Sequence, residues 1–397
     1  MDEQTGRILV VDDNEMNRDM LSRRVKGQGH TVSTAEDGVQ ALEMLRQEQF
    51  DVVLLDVMMP NMNGYEVLEQ LKADAELRHV RVIMISALTE IDSIVKCLEL
   101  GADDYLPKPF NPVILKARLK SSLAAKILHD REQMFAQSME RELDIGRQIQ
   151  AGFFPEKIPQ PEGWDIQARF KAARQVAGDF YDVFPMPDGR LGLVVADVCD
   201  KGVGAALFMA LFRSLLRASA DERYFHPKIE ATELGSEEGG RSTLLRAIEL
   251  TNNYIAQIHG SANMFATVFF GVLDLTTGGL DYINGGHEAP LIIADGAAKE
   301  TLEPSGPAVG LMPDMRFEVR SAKLDPGDTL LGFTDGVTEA MNLNAEEFGI
   351  DRLMAVVASA DGTAGGLLDR IEKGLAAHVG AAEQWDDITM LAVKHLV

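Results

Sequence analysis

Residues Ile8–Asp13 read ILVVDD, a short apolar run that ends abruptly in two acids. An unbroken apolar run of this length fits a strand covered on both faces, as in a parallel sheet, rather than a half-exposed strand of alternating polarity. Working outward, a helical pattern through Met16, Met20, Leu21 and Val25 stops at Gly27 and Gly29. HTVSTA (30–35), DVVLLD (51–56), RVIMIS (81–86) and DDYLPK (103–108) supply four more strands. Amphipathic segments of helix length separate them, for example through Val39, Leu42 and Leu45. Strict alternation of strand and helix predicts a doubly wound α/β domain over residues 1–120.

After Pro112 the pattern becomes one long helix reaching Phe154, with no further Gly or Pro until Gly146. Its apolar residues are Ile114, Leu119, Leu123, Ile127, Phe135, Met139, Leu143, Ile149 and Phe153, a near-heptad interrupted by charges around His129–Gln133. The segment 121–154 is therefore expected to be a helical linker. It either pairs with a second copy as a coiled coil or packs on one of its own domains. Beyond Pro155 the signals are antiparallel. WDIQARF, RLGLVVADV, MFATVFFGVLDL, GLDYINGG, MRFEVRSAKL, DTLLGFTDG and DITMLAVKHL read as strands bounded by turns. Helices are expected at Gly204–Ser219, Leu244–His259, Phe348–Ala360 and Gly365–His378, and a polar, Gly-rich surface loop at 221–243. Strands and helices in runs predict an α+β sandwich over 155–397.

Composition narrows the function. The 38 basic residues against 62 acidic give a net charge of −24, which excludes the basic footprint of a nucleic-acid or membrane-surface binder. Cys97 and Cys199 form no metal-ligand or redox pair. No export signal opens the chain, and no apolar run approaches the roughly 18 residues a membrane span needs. A cytoplasmic multidomain protein is expected, and some of its carboxylates are candidates for holding metal.

The first such group lies at strand ends, where parallel sheets place ligands. Asp12 and Asp13 end the first strand, Asp56 the third, Ser86 the fourth and Lys108 the fifth. Three converging carboxylates repel one another unless a cation joins them, which points to a hard ion such as Mg²⁺. An Asp beside such an ion and a Lys can act as a nucleophile on phosphorus. VVDDN, LLDVMMPNMNG, MISA and DDYLPKPF, in this order, resemble the response-regulator receiver domain over residues 7–125. The resemblance implies a flavodoxin-like fold, Asp56 as phosphoacceptor, and Asp12, Asp13 and the Met58 carbonyl as Mg²⁺ ligands beside it. It also implies Ser86 and Lys108 on the phosphoryl oxygens, Tyr105 as an aromatic switch, and a cis Lys108–Pro109 bond.

A second series of acids sits in GDFYD (Asp179, Asp182), VADVCDKG (Asp197), FTDG (Asp335) and DDIT (Asp386, Asp387). Carboxylates without nearby His or Cys again suit Mg²⁺ or Mn²⁺ rather than zinc. Two such ions can activate a water and clamp an in-line phosphoryl displacement. Spacing alone does not join these acids in one site. ELDIGRQIQAGFFP, GDFYDVF, ADVCDKGVGAALFMA, MFATVFFGVLD, NGGHEAPLI, GDTLLGFTDGVTEA and DDITMLAV resemble the bacterial type 2C metal-dependent serine/threonine phosphatases of the SpoIIE/RsbU branch, from about residue 140 to 396. The resemblance implies that Asp197 bridges two metals, with the Val198 carbonyl on one of them. Asp335 and Asp386 then hold the second ion, with Asp387 the alternative to Asp386, and Asp179 stands on or just behind a metal. His287 is either a buried structural histidine or part of the site, and Arg174 is the candidate for a phosphate-binding arginine. The loop after Asp197 departs from the branch's usual Ser-Gly-Lys-Gly, reading Cys199-Asp200-Lys201-Gly202.

Together these resemblances imply a response regulator whose phosphorylation by a sensor histidine kinase controls the phosphatase. Its substrate class would be a phosphorylated STAS-domain anti-sigma-factor antagonist in a partner-switching pathway, and the chain would form a homodimer through the linker. The competing reading is a phosphorylation-dependent adaptor with a non-catalytic phosphatase-like domain. A transcription-factor or cyclase output finds no helix-turn-helix, basic patch or GGEEF motif in the sequence.

Overall fold

In a computed structural model, which describes residues 5–87, 91–186, 189–220, 237–358 and 362–396, the chain forms two compact units, Met1–Met139 and Glu140–Val397. The first is the doubly wound domain that the apolar runs predict. Strands β1 (Arg7–Val11), β2 (Thr31–Ala35), β3 (Val52–Asp56), β4 (Arg81–Ser86) and β5 (Asp104–Pro107) form one parallel sheet of order β2-β1-β3-β4-β5. The helices are α1 (Glu15–Lys26), α2 (Gly38–Gln47), α3 (Gly64–Ala73), α4 (Ile91–Glu99) and α5 (Pro112–Ala151). Side-chain alternation explains why the strands read as continuously apolar. Ile8, Val10, Leu54 and Ile83 face α1 and the first part of α5, whereas Leu9, Val11, Val53 and Val82 face α2 and α3. Asn14, Asp37 and Asn63 cap the first three helices through their side chains.

Helix α5 is longer than any other described helix, at 40 residues, and spans the boundary between the units. Leu115, Leu119 and Leu123 pack into the core of the first unit. Further along, Leu128, Phe135, Met139, Ile145 and Ile149 are exposed.

The second unit packs two antiparallel sheets face to face. One has order β13-β10-β9-β8-β7: β7 (Phe180–Pro185), β8 (Leu191–Val198), β9 (Ala266–Leu273), β10 (Gly279–Gly285) and β13 (Arg320–Lys323). The other has order β12-β11-β14-β15-β6: β6 (Trp164–Lys171), β11 (Leu291–Ala294), β12 (Ala297–Thr301), β14 (Thr329–Phe333) and β15 (Ile388–His395). Leu193, Val195 and Phe269 meet Ile166, Leu391 and Val393 between the sheets. The opposite faces carry helices. Helices α6 (Val203–Ala220) and α7 (Glu237–Ile258) cover the first sheet, and α9 (Gly349–Val357) and α10 (Ala364–Val379) the second. A one-turn helix, α8 (Asp335–Thr338), follows β14.

Several expectations change. Of the region read as a loop at 221–243, residues 221–236 lie outside the described residues, and Glu237 onward already belongs to α7. The strand expected over MRFEVRSAKL shrinks to Arg320–Lys323. Residues 359–361, at the expected end of α9, lie outside the described residues. The hairpin β11–β12 went unread although Asp295 and Gly296 at its tip, both with positive φ (51° and 77°), are the Asp-Gly signature of a tight turn. Helix α6 does have the length and mean hydropathy of a membrane span. Its Met209, Phe212 and Leu216 are buried against the sheet and α7. Its Arg213 and Arg217 pair with the buried Asp182 of β7 at 3.1 and 3.2 Å.

Candidate active sites

In the first unit the ends of β1, β3, β4 and β5 deliver their polar residues to one crevice. One carboxylate oxygen each from Asp12, Asp13 and Asp56 lie within 4.8 Å of one another, the only such trio of acid, His or Cys groups among the described residues. Lys108 Nζ sits 2.9 Å from Asp12 Oδ2 and 2.8 Å from Asp56 Oδ2. Burial pushes the Asp56 carboxyl up, against the pull of the Lys108 hydrogen bond. Burial works against the Lys108 ammonium too, yet its bonds to Asp56 and Asp12 outweigh it and raise its pKa. Ser86 is buried at the end of β4, and its carbonyl accepts from the Lys108 N–H at 2.8 Å and the Tyr105 hydroxyl at 3.3 Å. The Lys108–Pro109 bond is cis. Met58 follows β3 with its side chain exposed. Gly64 packs so tightly on the Asp56 carbonyl that any side chain there would overlap it. An all-oxygen trio of this compactness fits a small hard cation such as Mg²⁺.

In the second unit the inward-facing rows of the sandwich turn polar at one end. Along β8, Leu191, Leu193 and Val195 face the opposing sheet, and the next residue in that row is Asp197. Along β14 and β15 the rows of Leu330 and of Leu391 and Val393 extend to Thr334 and Thr389. Both threonine hydroxyls donate to Asp179 Oδ2, at 2.6 and 2.8 Å, and Asp179 is only 1% exposed. Burial and the neighbouring Asp197 push the Asp179 carboxyl well up. Asp197 rises to about 7 because it is buried and faces Asp335, although a hydrogen bond with Asp179 pulls the other way. Asp335, the first residue of α8, rises to about 6 through burial, then repulsion from Asp386 and Glu339. The structure thus unites Asp179, Asp197, Asp335 and Asp386, which spacing alone did not. Buried carboxylates set against one another fit a cation, and their all-oxygen chemistry fits Mg²⁺ or Mn²⁺.

The paired acids separate by task. Asp387 accepts from the N–H of Ala173 at 2.7 Å and of Gly178 at 2.9 Å, so its carboxylate ties down the loop that carries Asp179. Asp386 instead faces Lys201, whose Nζ lies 2.8 Å from its Oδ2. The Val198 carbonyl lies against Gly178, where an added Cβ would come within 2.8 Å of it. Asp200 takes φ 70°, the left-handed region, at the position where the branch usually has Gly. Asp is among the few residues that tolerate this region, which explains why the altered loop still closes. Arg174 is exposed beside that loop, with Nη1 4.0 Å from where a Gly202 Cβ would lie. His287 is buried, bonded through Nδ1 to Thr267 Oγ1 at 2.9 Å, and desolvation drives its pKa to about 3. The ring is neutral and serves the packing of β9 against the turn after β10.

Three contributors escaped the sequence reading. Thr334 and Thr389 were hidden inside strand runs, although row parity places them facing inward. Gln150, in the last turns of α5, is buried and grips Ala177 at both ends: Nε2 donates to the carbonyl at 2.7 Å and Oε1 accepts from the N–H at 3.0 Å. Ala177 stands two residues before Asp179, so α5 is bonded directly to the segment that positions that acid.

A receiver-type acid crevice followed by a sandwich with an acidic end defines a response regulator with a phosphatase-type output domain. Residues 8–120 match the response regulator receiver domain, and residues 187–396 match the family described as Stage II sporulation protein E (SpoIIE). The second match covers more than half of the 397 residues, and the chain belongs to the SpoIIE family of protein phosphatases. It contains Asp197, Asp335 and Asp386, whereas Asp179 lies just ahead of it. Among relatives, Protein IcfG of Synechocystis sp. (strain ATCC 27184 / PCC 6803 / Kazusa) is 46% identical over 260 residues, 64% of this chain and 41% of that protein. Response regulator PleD of Caulobacter vibrioides is 43% identical over 126 residues, 32% of this chain and 28% of that protein. The chain therefore spans less than half the length of either relative. The SiaA-PP2C domain of Pseudomonas aeruginosa shares the fold, with a TM-score of 0.51 and 20% identity over 65% of this chain and 98% of that one.

Proposed function

We propose that the chain is a two-component response regulator in which phosphorylation of Asp56 controls a metal-dependent phosphoserine/phosphothreonine protein phosphatase. The domains of this reading are a receiver over 1–120, a linker over 121–154 and a phosphatase over 155–397. The observation that carries it is the convergence of Asp179, Asp197, Asp335 and Asp386 at one end of the sandwich, with Asp197 and Asp335 raised by burial and then by neighbouring carboxylates. A surface that only docked a partner would gain nothing from so costly a cluster. Two Mn²⁺ or Mg²⁺ ions, when bound, would supply Lewis acidity and a water activated for attack on phosphorus. Asp197 and the Val198 carbonyl, with Asp335 and Asp386, are the residues to hold them. Asp179, restrained by Thr334 and Thr389, orients Asp197, and Asp387 is assigned to the loop rather than to metal.

In the receiver, Asp12, Asp13 and the Met58 carbonyl hold Mg²⁺, while Lys108 keeps Asp56 ionised and, with Ser86, meets the incoming phosphoryl oxygens. Tyr105 is the switch aromatic. A sensor histidine kinase is the phosphodonor and a phosphorylated STAS-domain anti-sigma-factor antagonist the substrate, in a cytoplasmic partner-switching pathway; both assignments rest on the family resemblance. Segment Glu140–Phe154 couples the two activities, with Gln150 as its contact to the Asp179 loop. The exposed row Leu128, Phe135, Met139, Ile145 and Ile149 is the homodimer face.

Incubating the protein with Mn²⁺ and a phosphoserine STAS protein tests the reading. Phosphate release by wild type and not by Asp197→Ala supports it. No turnover with any divalent metal, with or without beryllofluoride on Asp56, favours the adaptor. A response to beryllofluoride that persists in Gln150→Ala would remove the coupling assigned to that residue.

A further inference from the structure

Beside the acid cluster a cavity of about 380 Å³ opens between α10, the start of β15, β6 and the segment after α8. Phe170, Leu375, Val379 and Ile388 line it, and it shares two residues, Glu339 and Asp386, with the surroundings of the acid cluster just described. Its mouth carries Trp385, 70% exposed, an unusual amount of apolar surface to leave in water. That tryptophan is nonetheless anchored. Lys201 Nζ lies over its ring at 5.1 Å from the centroid and donates to its carbonyl at 2.8 Å. Lys201 stands on the loop that follows Asp197 and Trp385 immediately precedes Asp386, so the platform is built from two of the segments that carry the acid cluster.

We propose that this cavity is a specificity pocket that receives an apolar side chain of the phosphoprotein substrate, from a residue flanking the phosphorylated Ser or Thr. The proposal rests on the metal-dependent phosphatase reading above. Continuity selects the occupant. A phosphoester held at Asp197 and Asp335 has its flanking chain within reach of Asp386 and Trp385, and an extended chain advances roughly 3.3 Å per residue. The volume lies at the low end of ligand pockets, enough for a large side chain rather than a folded partner. A preordered tryptophan at the mouth is the residue type that anchors protein contacts.

The chain with both units and Mn²⁺ is assayed on p-nitrophenyl phosphate and on phosphoserine peptides in an alanine background, with one leucine walked along either side of the phosphoserine. A leucine at one offset is expected to raise kcat/KM about tenfold, the effect of burying one such side chain. Ala376→Trp fills the cavity from an exposed position on α10. This variant is expected to keep p-nitrophenyl phosphate hydrolysis and lose the leucine preference, and Trp385→Ala is expected to lower the same ratio. A flat leucine profile with p-nitrophenyl phosphate turnover intact overturns the pocket alone, as does a preference that survives Ala376→Trp. Absence of p-nitrophenyl phosphate turnover in wild type with any divalent metal overturns the phosphatase reading and the pocket with it.

Discussion

Replacing Asp197 by Asn is expected to stabilise the protein when divalent metal is stripped away, and to do so more at pH 8 than at pH 5.5. Burial, with the charge of Asp335, holds the Asp197 carboxyl at about 7 in the folded chain, against an ordinary value of 3.8. A folded pKa above the unfolded one means that the folded state binds this proton more tightly. Stability is therefore lost as pH rises from about 4 through about 7, and is constant above that. From pH 5.5 to pH 7 the loss is about 1.5 units at about 1.36 kcal/mol each, roughly 2 kcal/mol. Asn has no proton to lose and escapes it. Comparing variant with wild type also cancels His287, whose depressed pKa of about 3 acts in the opposite sense, destabilising the fold as pH falls below its ordinary 6.5. Both tryptophans, Trp164 and Trp385, lie in the C-terminal unit, so intrinsic fluorescence follows that unit's unfolding alone. The advantage of Asp197→Asn in EDTA should grow by about 4–8 °C in melting temperature between pH 5.5 and pH 8. In excess Mn²⁺ the order should reverse, because wild type then gains the stabilisation of ligand binding. An advantage that is equal or larger at pH 5.5 would refute the placement of a strained carboxylate at this position.

Four further outcomes are expected. Thr334→Val or Thr389→Val removes a hydroxyl from the buried Asp179 Oδ2 and should cost about 1–3 kcal/mol in urea denaturation, with Thr→Ser near wild type. Asp182→Asn leaves Arg213 and Arg217 without their buried partner and should cost about 3–5 kcal/mol by the same assay. Gly178→Ala drives a methyl to 2.8 Å from the Val198 carbonyl, so destabilisation of about 1–3 kcal/mol should accompany weaker Mn²⁺ binding by calorimetry. Asp56→Asn should abolish phosphoryl uptake from acetyl phosphate on phosphate-affinity gels, while Asp13→Asn should raise the Mg²⁺ concentration needed for it.

Legibility of the fold followed the strength of periodicity. The parallel sheet is readable because its central strands are buried on both faces, so each of β1, β3 and β4 carries an uninterrupted apolar run with a polar residue at or just past its end. The sandwich was readable only in outline. β7 carries the GDFYD acids and looks like a motif rather than a strand, although Phe180 and Phe184 pack on α6 while Val183 faces the other sheet. β12 escaped because all five of its residues are exposed, which leaves no apolar alternation to detect. The opening of α7 is equally silent, since EEGG at 237–240 reads as a turn.

The candidate sites were legible to the degree that strand ends carry charge. Asp12, Asp13, Asp56 and Lys108 each stand where a parallel strand stops, and parallel strands stop on one side, so their convergence follows from topology. In the sandwich the same logic needs parity as well. Leu391 and Val393 face the opposing sheet, so Thr389 and Asp387 belong to that inward row and Asp386 does not. That alternation is present in DDITMLAV, and it separates the two acids by parity alone. Asp387 turns inward and is consumed by the N–H groups of Ala173 and Gly178. Asp386 turns toward Asp335 and Lys201. No comparable rule could have found Gln150, because its partner Ala177 lies 27 residues away on a loop with no periodicity, and only the packed chain brings the two together.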